Sequence, residues 1–158
     1  MVAISFKPEW RDKLLRGEKT QTIRPRPSKK RLNQLWRTNP AYIRCYNKKP
    51  LDLHIYTAQR TRNAELLFKT KTTGIYECRF NDYGLIIQFN WFSPEINENL
   101  QQIAKKDGFQ GLHTLRAWFE TQYGPELEEK DFILIRFESP IKEHPGLGEK
   151  LTLQEEVE

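Results

Sequence analysis

The segment Lys13-Leu-Leu-Arg-Gly-Glu-Lys-Thr-Gln-Thr-Ile-Arg24 restricts the fold of this chain more than any other stretch. It reads as the end of a helix, a glycine stop at Gly17, and then a strand carrying Lys19, Thr20, Thr22 and Arg24. A strand packed on a core normally alternates apolar and polar residues, so that one face can be buried. Between Glu18 and Pro25 the only large apolar residue is Ile23. Such a ribbon either lines a wet cleft or forms an edge strand kept polar against sheet-to-sheet aggregation. The residues alone leave both readings open.

The rest of the chain supplies a conventional core. Val2 to Phe6 reads as a short strand, and Pro8 suits the first turn of a helix whose inner face is Trp10, Leu14 and the stem of Lys13. Leu51, Leu53 and Ile55 alternate with Asp52, His54 and Tyr56, the pattern of a half-buried strand. Gly74–Phe80 and Leu85–Phe89 flank Asn81-Asp-Tyr-Gly84, whose composition suits a hairpin turn. Ser93-Pro94 reads as a cap with proline at the first helical position, opening a helix through Ile96, Leu100, Ile103 and Ala104 that ends near Gly108. Leu112, Leu115 and Phe119 mark a second helix closed by Gly124, and Phe132–Phe137 is a buried strand. Tyr42–Tyr46 reads as a further strand. Pro25-Arg-Pro-Ser-Lys-Lys-Arg31 is a basic, proline-punctuated loop, either a solvated connection or a phosphate-contacting arm.

At 158 residues the chain fits one domain with a core of its own. Its apolar runs are far too short to cross a bilayer, which takes about 20 residues, and the N-terminus lacks a signal-peptide pattern. Cys45 and Cys78 read as ordinary reduced thiols, and His54, His113 and His144 are scattered without ligand spacing. The expectation is a cytoplasmic protein that uses no metal or cofactor. Charge is sharply divided: residues 1–80 hold 19 Lys and Arg against 6 Asp and Glu (+13), and residues 81–158 hold 7 against 15 (−8). That split points to a basic face with an anionic partner, nucleic acid foremost, although the two halves can also attract each other.

Gly17, Lys19, Thr22 and Arg24 reproduce a spacing that resembles the signature of the ASCH domain, a family of small β-barrels related to the PUA RNA-binding fold. Ile4-Ser-Phe-Lys-Pro8 is similar to that family's opening strand, Leu53–Asn63 to a second segment, and Asp107-Gly-Phe109 to a third that follows a helix. Together they span most of residues 2–137. The resemblance implies an α+β fold, a PUA-like small mixed β-barrel with flanking helices over residues 1–138. Residues 139–158 would then be an acidic, partly flexible tail. It also implies binding of RNA or a modified nucleoside in a basic cleft.

One branch of the family hydrolyses the acetyl amide of N4-acetylcytidine with a lysine, a threonine and a glutamate. Lys19 and Thr22 match the first two, and Asp107 falls at the place of the glutamate, one methylene shorter. Many relatives carry glutamate where Thr22 stands, so the threonine favours the hydrolytic branch. This chain is longer than those hydrolases, however, and its Tyr56–Asn63 segment belongs to a different subgroup. The chemistry is coherent with the residue types. A lysine among cations is pushed toward the free amine, a neighbouring hydroxyl can then be activated, and a carboxyl can shuttle the proton. In a regular strand, though, residues three apart face opposite sides, so Lys19 and Thr22 share a site only if Lys19 precedes the strand or a bulge intervenes.

Arg24, Tyr56, Arg60 and Arg62 suit recognition instead. Arginine grips phosphate with a bidentate fork, and tyrosine offers a face for an exposed base. The opposing readings are surface arginines paired with the acidic half and a tyrosine that packs the barrel. A protein-interaction adaptor that uses the acidic helices or tail is the third class of function consistent with the sequence.

Overall fold

The computed structural model describes residues 2–25, 52–58, 62–88 and 96–140. Strand β1 (Val2–Phe6) leads through a 3-10 turn at Pro8–Trp10 into helix α1 (Arg11–Leu15), then to β2 (Gln21–Pro25). Beyond it lie β3 (Asp52–Thr57), β4 (Glu65–Asn81) and β5 (Gly84–Gln88). Helices α2 (Leu100–Lys106) and α3 (Leu112–Tyr123) and a 3-10 segment at Gly124–Glu129 precede the last described strand, β6 (Phe132–Phe137). The expected α+β class is what the chain forms. The basic loop, Tyr42–Tyr46, Ser93-Pro94, Trp36, Trp91, Cys45 and the tail from residue 141 lie outside the described residues.

The described residues form a six-stranded sheet: five strands follow one hydrogen-bonded path, β1-β3-β4-β6-β2, and β5 pairs with β4 off that path. The β1–β3 pair is parallel and the other pairs are antiparallel. The path does not close: β1 and β2 are its two ends and share no ladder among the described residues. β4 holds the path together. It pairs with β3 from Glu65 to Lys71, with β6 from Thr72 to Cys78 through a register shift between Thr72 and Gly74, and with β5 from Glu77 to Asn81. Only the half from Gly74 onward announces itself in the sequence. The first half is Lys/Thr-rich and mostly exposed, so it lacks an alternation of its own and is a strand because β3 pairs with it.

β6 explains how two cores fit on one sheet. Its residues are buried on both faces, as a continuous apolar run requires. Ile133, Ile135 and Phe137 pack with Ile4, Phe6, Leu14, Leu53 and Ile55. Phe132 and Leu134 face the helices, where Phe80, Ile103, Leu115 and Phe119 complete a second cluster. Burying each such side chain contributes about 1.5–3 kcal/mol. The alternation read in β3 is realised as a buried Leu53, Ile55 and Thr57.

The start of α2 differs from the expected one. Ile96 precedes the helix, which is capped by Asn99: its Oδ1 accepts from Gln102 N at 2.9 Å while Asn99 N donates to Gln102 Oε1 at 3.0 Å. That reciprocal box satisfies two end donors at once. The apolar period of four from Ile96 continues packing into the approach segment, which is why periodicity alone overextends the helix.

Candidate functional site

The described end strands of the open sheet border a cavity of about 390 Å³, whose far side is the turn after α2 and one face of α3. Its floor is built from the polar ribbon. Gly17 adopts φ +77, and the chain folds back with Lys19 N donating to Lys13 O at 3.2 Å. Lys19 thus lies before β2 proper, in an isolated antiparallel bridge to Asp107, and Thr20 N donates to Lys106 O at 2.8 Å. This placement resolves the strand-parity objection, since Lys19 and Thr22 line the same cavity. The ribbon is both a lining and an end strand, but it is not wet: Lys19 is 3% exposed, Gln21 0% and Thr22 5%.

A buried lysine must be held by partners or lose its proton. Lys19 Nζ donates to the main-chain oxygen of Asp107 at 2.6 Å and stands 3.6 Å from Asp107 Oδ1. It also lies 4.4 Å from the ring centre of Trp10 and 5.5 Å from that of Phe6. Burial lowers its pKa, and the charges of Arg24 and Lys13 push the same way, against the pull of the Asp107 carboxylate. Asp107 ends α2 as its C-cap and is 2% exposed. Burial pushes its carboxyl up to about 6, opposed chiefly by the Lys19 charge. Its Oδ1 is buried and accepts no hydrogen bond among the described residues. Burial thus opposes charge on both groups, lowering the amine and raising the acid toward one another, the arrangement expected of groups that move a proton.

Gly108 makes the fit possible. At φ +94 it takes a backbone conformation that disfavours side chains, and a Cβ there would meet Trp10 Cζ3 at 2.8 Å. Its carbonyl accepts from Lys13 Nζ at 2.5 Å. Across the cavity, Arg24 Nε donates to Thr22 Oγ1 at 3.2 Å, and its Nη2 donates to Ser5 O at 2.5 Å. The guanidinium lies 4.9 Å from the Phe6 ring centre, so one arginine spans from β2 to β1.

Lys19, Thr22, Arg24 and Asp107 are thus brought together as expected. Of the other expected site residues, Tyr56 and Arg62 are not. Tyr56 is half-buried on β3 in register with Ser5 and does not line the cavity. Arg62 is exposed in the turn after β3 and does not line it either. Arg60 lies outside the described residues.

Sequence reasoning missed the aromatic wall. Trp10, Phe109 and Trp118 meet edge to face or tilted, with ring centres 5.2, 6.4 and 6.0 Å apart. Trp10 and Trp118 read only as helix-face packing, and nothing local signals that they converge with Phe109 on Lys19. Gln21 was missed too, although a polar residue in a strand with almost no apolar side chains was itself a hint of a buried amide.

Among the described residues no group of three or more His, Cys, Asp or Glu is placed to hold a metal ion. No helix among them is long and apolar enough to cross a membrane. Comparison with known protein families, curated proteins and solved structures finds no match to this chain.

Proposed function

We propose that this chain is an ASCH-like domain whose cavity takes a single nucleobase, presented by RNA or by a modified nucleoside. The observation that carries the reading is the convergence of Lys19, Thr22, Arg24 and Asp107, from distant parts of the chain, on one aromatic-walled cavity. Its volume of about 390 Å³ lies at the lower end of the range for small-ligand sites, about 300–1,000 Å³, which suits one base rather than a folded RNA. Trp10 and Trp118 offer faces for stacking, and Asp107 and Arg24 line the same cavity as polar groups for a base edge. The PUA-like barrel belongs to this proposal. Arg24 bridging β2 and β1 is the contact that favours it, because it joins the two ends of the sheet by a side chain where a barrel would use a ladder.

Titrating the protein with cytidine, N4-acetylcytidine and a short single-stranded RNA, read by tryptophan fluorescence, tests the binding. Saturable quenching is expected with at least one of them, and Arg24→Met should weaken RNA binding and reduce its salt dependence. Absence of saturable binding by all three would remove the reading.

A second reading, amide hydrolysis of an N4-acetylcytidine-type nucleoside, is favoured by the buried Lys19–Asp107 pair, in which burial lowers the amine and raises the acid. In this scheme the Lys19 amine takes the Thr22 hydroxyl proton and Oγ1 attacks the acetyl carbonyl. The Arg24 Nε donor to Oγ1 eases loss of the hydroxyl proton. The Lys19 ammonium so formed, facing the Asp107 carboxylate, then gives that proton to the departing exocyclic nitrogen, and water releases acetate from Thr22. Release of acetate that is lost in Lys19→Ala is expected. Turnover that persists in Lys19→Ala removes this reading.

A further inference from the structure

The cavity has a buried floor and an open mouth, and its cations are divided between them. Lys19, Thr22 and Asp107 are buried at the floor, whereas Lys7 and Pro25 are the lining residues that stand exposed. Two of the three lining cations are already engaged. Lys19 is held by Asp107, and Arg24 by Thr22 Oγ1, the Ser5 carbonyl and the Phe6 ring. Lys7 is the third, and neither the binding nor the hydrolytic scheme uses it. Local structure aims it: Lys7 follows the last residue of β1, and Pro8 confines it to extended backbone, φ −65 and ψ 147. Its side chain reaches α3, where Nζ donates to Gln122 Oε1 at 3.3 Å and lies 5.4 Å from the Trp118 ring centre. Both partners are uncharged, and Lys7 makes no ion pair among the described residues. Arg11, Arg16 and Arg79, by contrast, each meet a carboxylate. An ammonium resting on an amide and a ring can turn to an anion without breaking an ion pair, and it gains charge attraction by doing so.

We propose that Lys7 reads a phosphate on the ribose of the ligand, so that the cavity prefers a nucleotide unit, free or within an RNA strand, to a nucleoside. This rests on the nucleobase reading given above. A base seated against Trp118 occupies the cavity of about 390 Å³, and its sugar and phosphate then lie at the mouth, beside the Lys7 ammonium. Asp107 is the one carboxylate in the lining, and it stands at the floor against Lys19, so no lining carboxylate repels a phosphate at the mouth. A compact ammonium with three donors on a flexible stem can follow a phosphate through several approach angles, which the pinned Arg24 fork cannot.

Calorimetric titration of the full chain with cytidine, N4-acetylcytidine and the 5′-monophosphate of each, at low salt, tests the proposal. The monophosphates should bind about threefold to fivefold tighter than their nucleosides, the size expected of one exposed charge pair, and the gain should shrink at high salt. Lys7→Met should bring each pair to equal affinity; Lys7 is exposed, so the substitution leaves both cores intact. A dinucleotide with cytidine on either side of its phosphodiester separates the two sources of phosphate. A gain that it shares upholds the site as one for RNA, and a gain confined to the monophosphates upholds it as one for nucleotides. Nucleosides that bind as tightly as their phosphorylated forms overturn the proposal while leaving the nucleobase reading in place. A phosphate gain that survives in Lys7→Met also overturns it, because another group then reads the phosphate. Binding of none of these ligands removes both readings together.

Discussion

Replacing Lys19 by methionine separates the charge of the buried pair from its packing. At pH 5 the Asp107 carboxyl is mostly protonated in the wild type, since burial raises it to about 6. The substitution then removes mainly the hydrogen bond from Nζ to the Asp107 carbonyl. That loss, about 1 kcal/mol, is partly offset by the apolar burial of methionine against Trp10 and Phe6. Above pH 6 the two proteins diverge. The wild type releases the Asp107 proton, whereas the variant has lost the ammonium that helped hold the carboxyl down. The folded variant keeps a proton that the unfolded chain lacks, and each further pH unit weakens it by about 1.4 kcal/mol. Over the two units from pH 6 to 8 the extra loss is about 3 kcal/mol, in line with the 3–5 kcal/mol typical for removing one partner of a buried pair. Lys19 itself acts with the same sign. Its folded pKa is lowered, so it costs stability at low pH and returns it as pH rises, a recovery the variant cannot show. Urea unfolding at pH 5, 6, 7 and 8, read by tryptophan fluorescence, measures the difference. An equal loss at pH 5 and pH 8 would refute the argument, because it would mean that Lys19 and Asp107 do not sense each other's charge.

Two further outcomes follow from other parts of the site. Gly108→Ala forces a side chain onto a backbone at φ +94 and a Cβ to within 2.8 Å of Trp10, so it should cost about 1–3 kcal/mol in urea unfolding and alter the Trp10 fluorescence. Glu98 is held at about 2, chiefly by its hydrogen bond to Arg136. A depressed carboxyl contributes stability above its unfolded value of 4.5 that is lost as pH falls through about 2. Glu98→Gln should remove that contribution, about 1–2 kcal/mol after solvent screening, and flatten the stability profile between those limits.

The parts of the fold legible in the sequence were those whose pattern is set by one face. The Leu53/Ile55 alternation, the run Phe132–Phe137 and the Leu115/Phe119 spacing each specify burial locally, and β3, β6 and α3 follow. The first half of β4 was illegible because its strand character comes from β3, and the Asn99 cap was hidden by apolar spacing that runs past the helix. At the site, the motif residues that converge are Lys19, Thr22 and Arg24, joined by Asp107. Tyr56 and Arg62 were sorted by chemical type, which says nothing about the side of the sheet on which a residue emerges. The roles of Gln21, Trp10 and Trp118 depend on neighbours from far along the chain, and no local pattern encodes them.

The bridge made by Arg24 also decides where this sheet can give way. Elsewhere neighbouring strands are stitched by rows of main-chain bonds that must part together. Between β1 and β2 no ladder runs among the described residues, and the long Arg24 side chain reaches across to the Ser5 carbonyl and rests on the Phe6 ring. A side chain can swing aside by changing rotamer and leave both strands intact. Along that edge of the cavity, opening asks for a change of rotamer and not for the parting of a ladder.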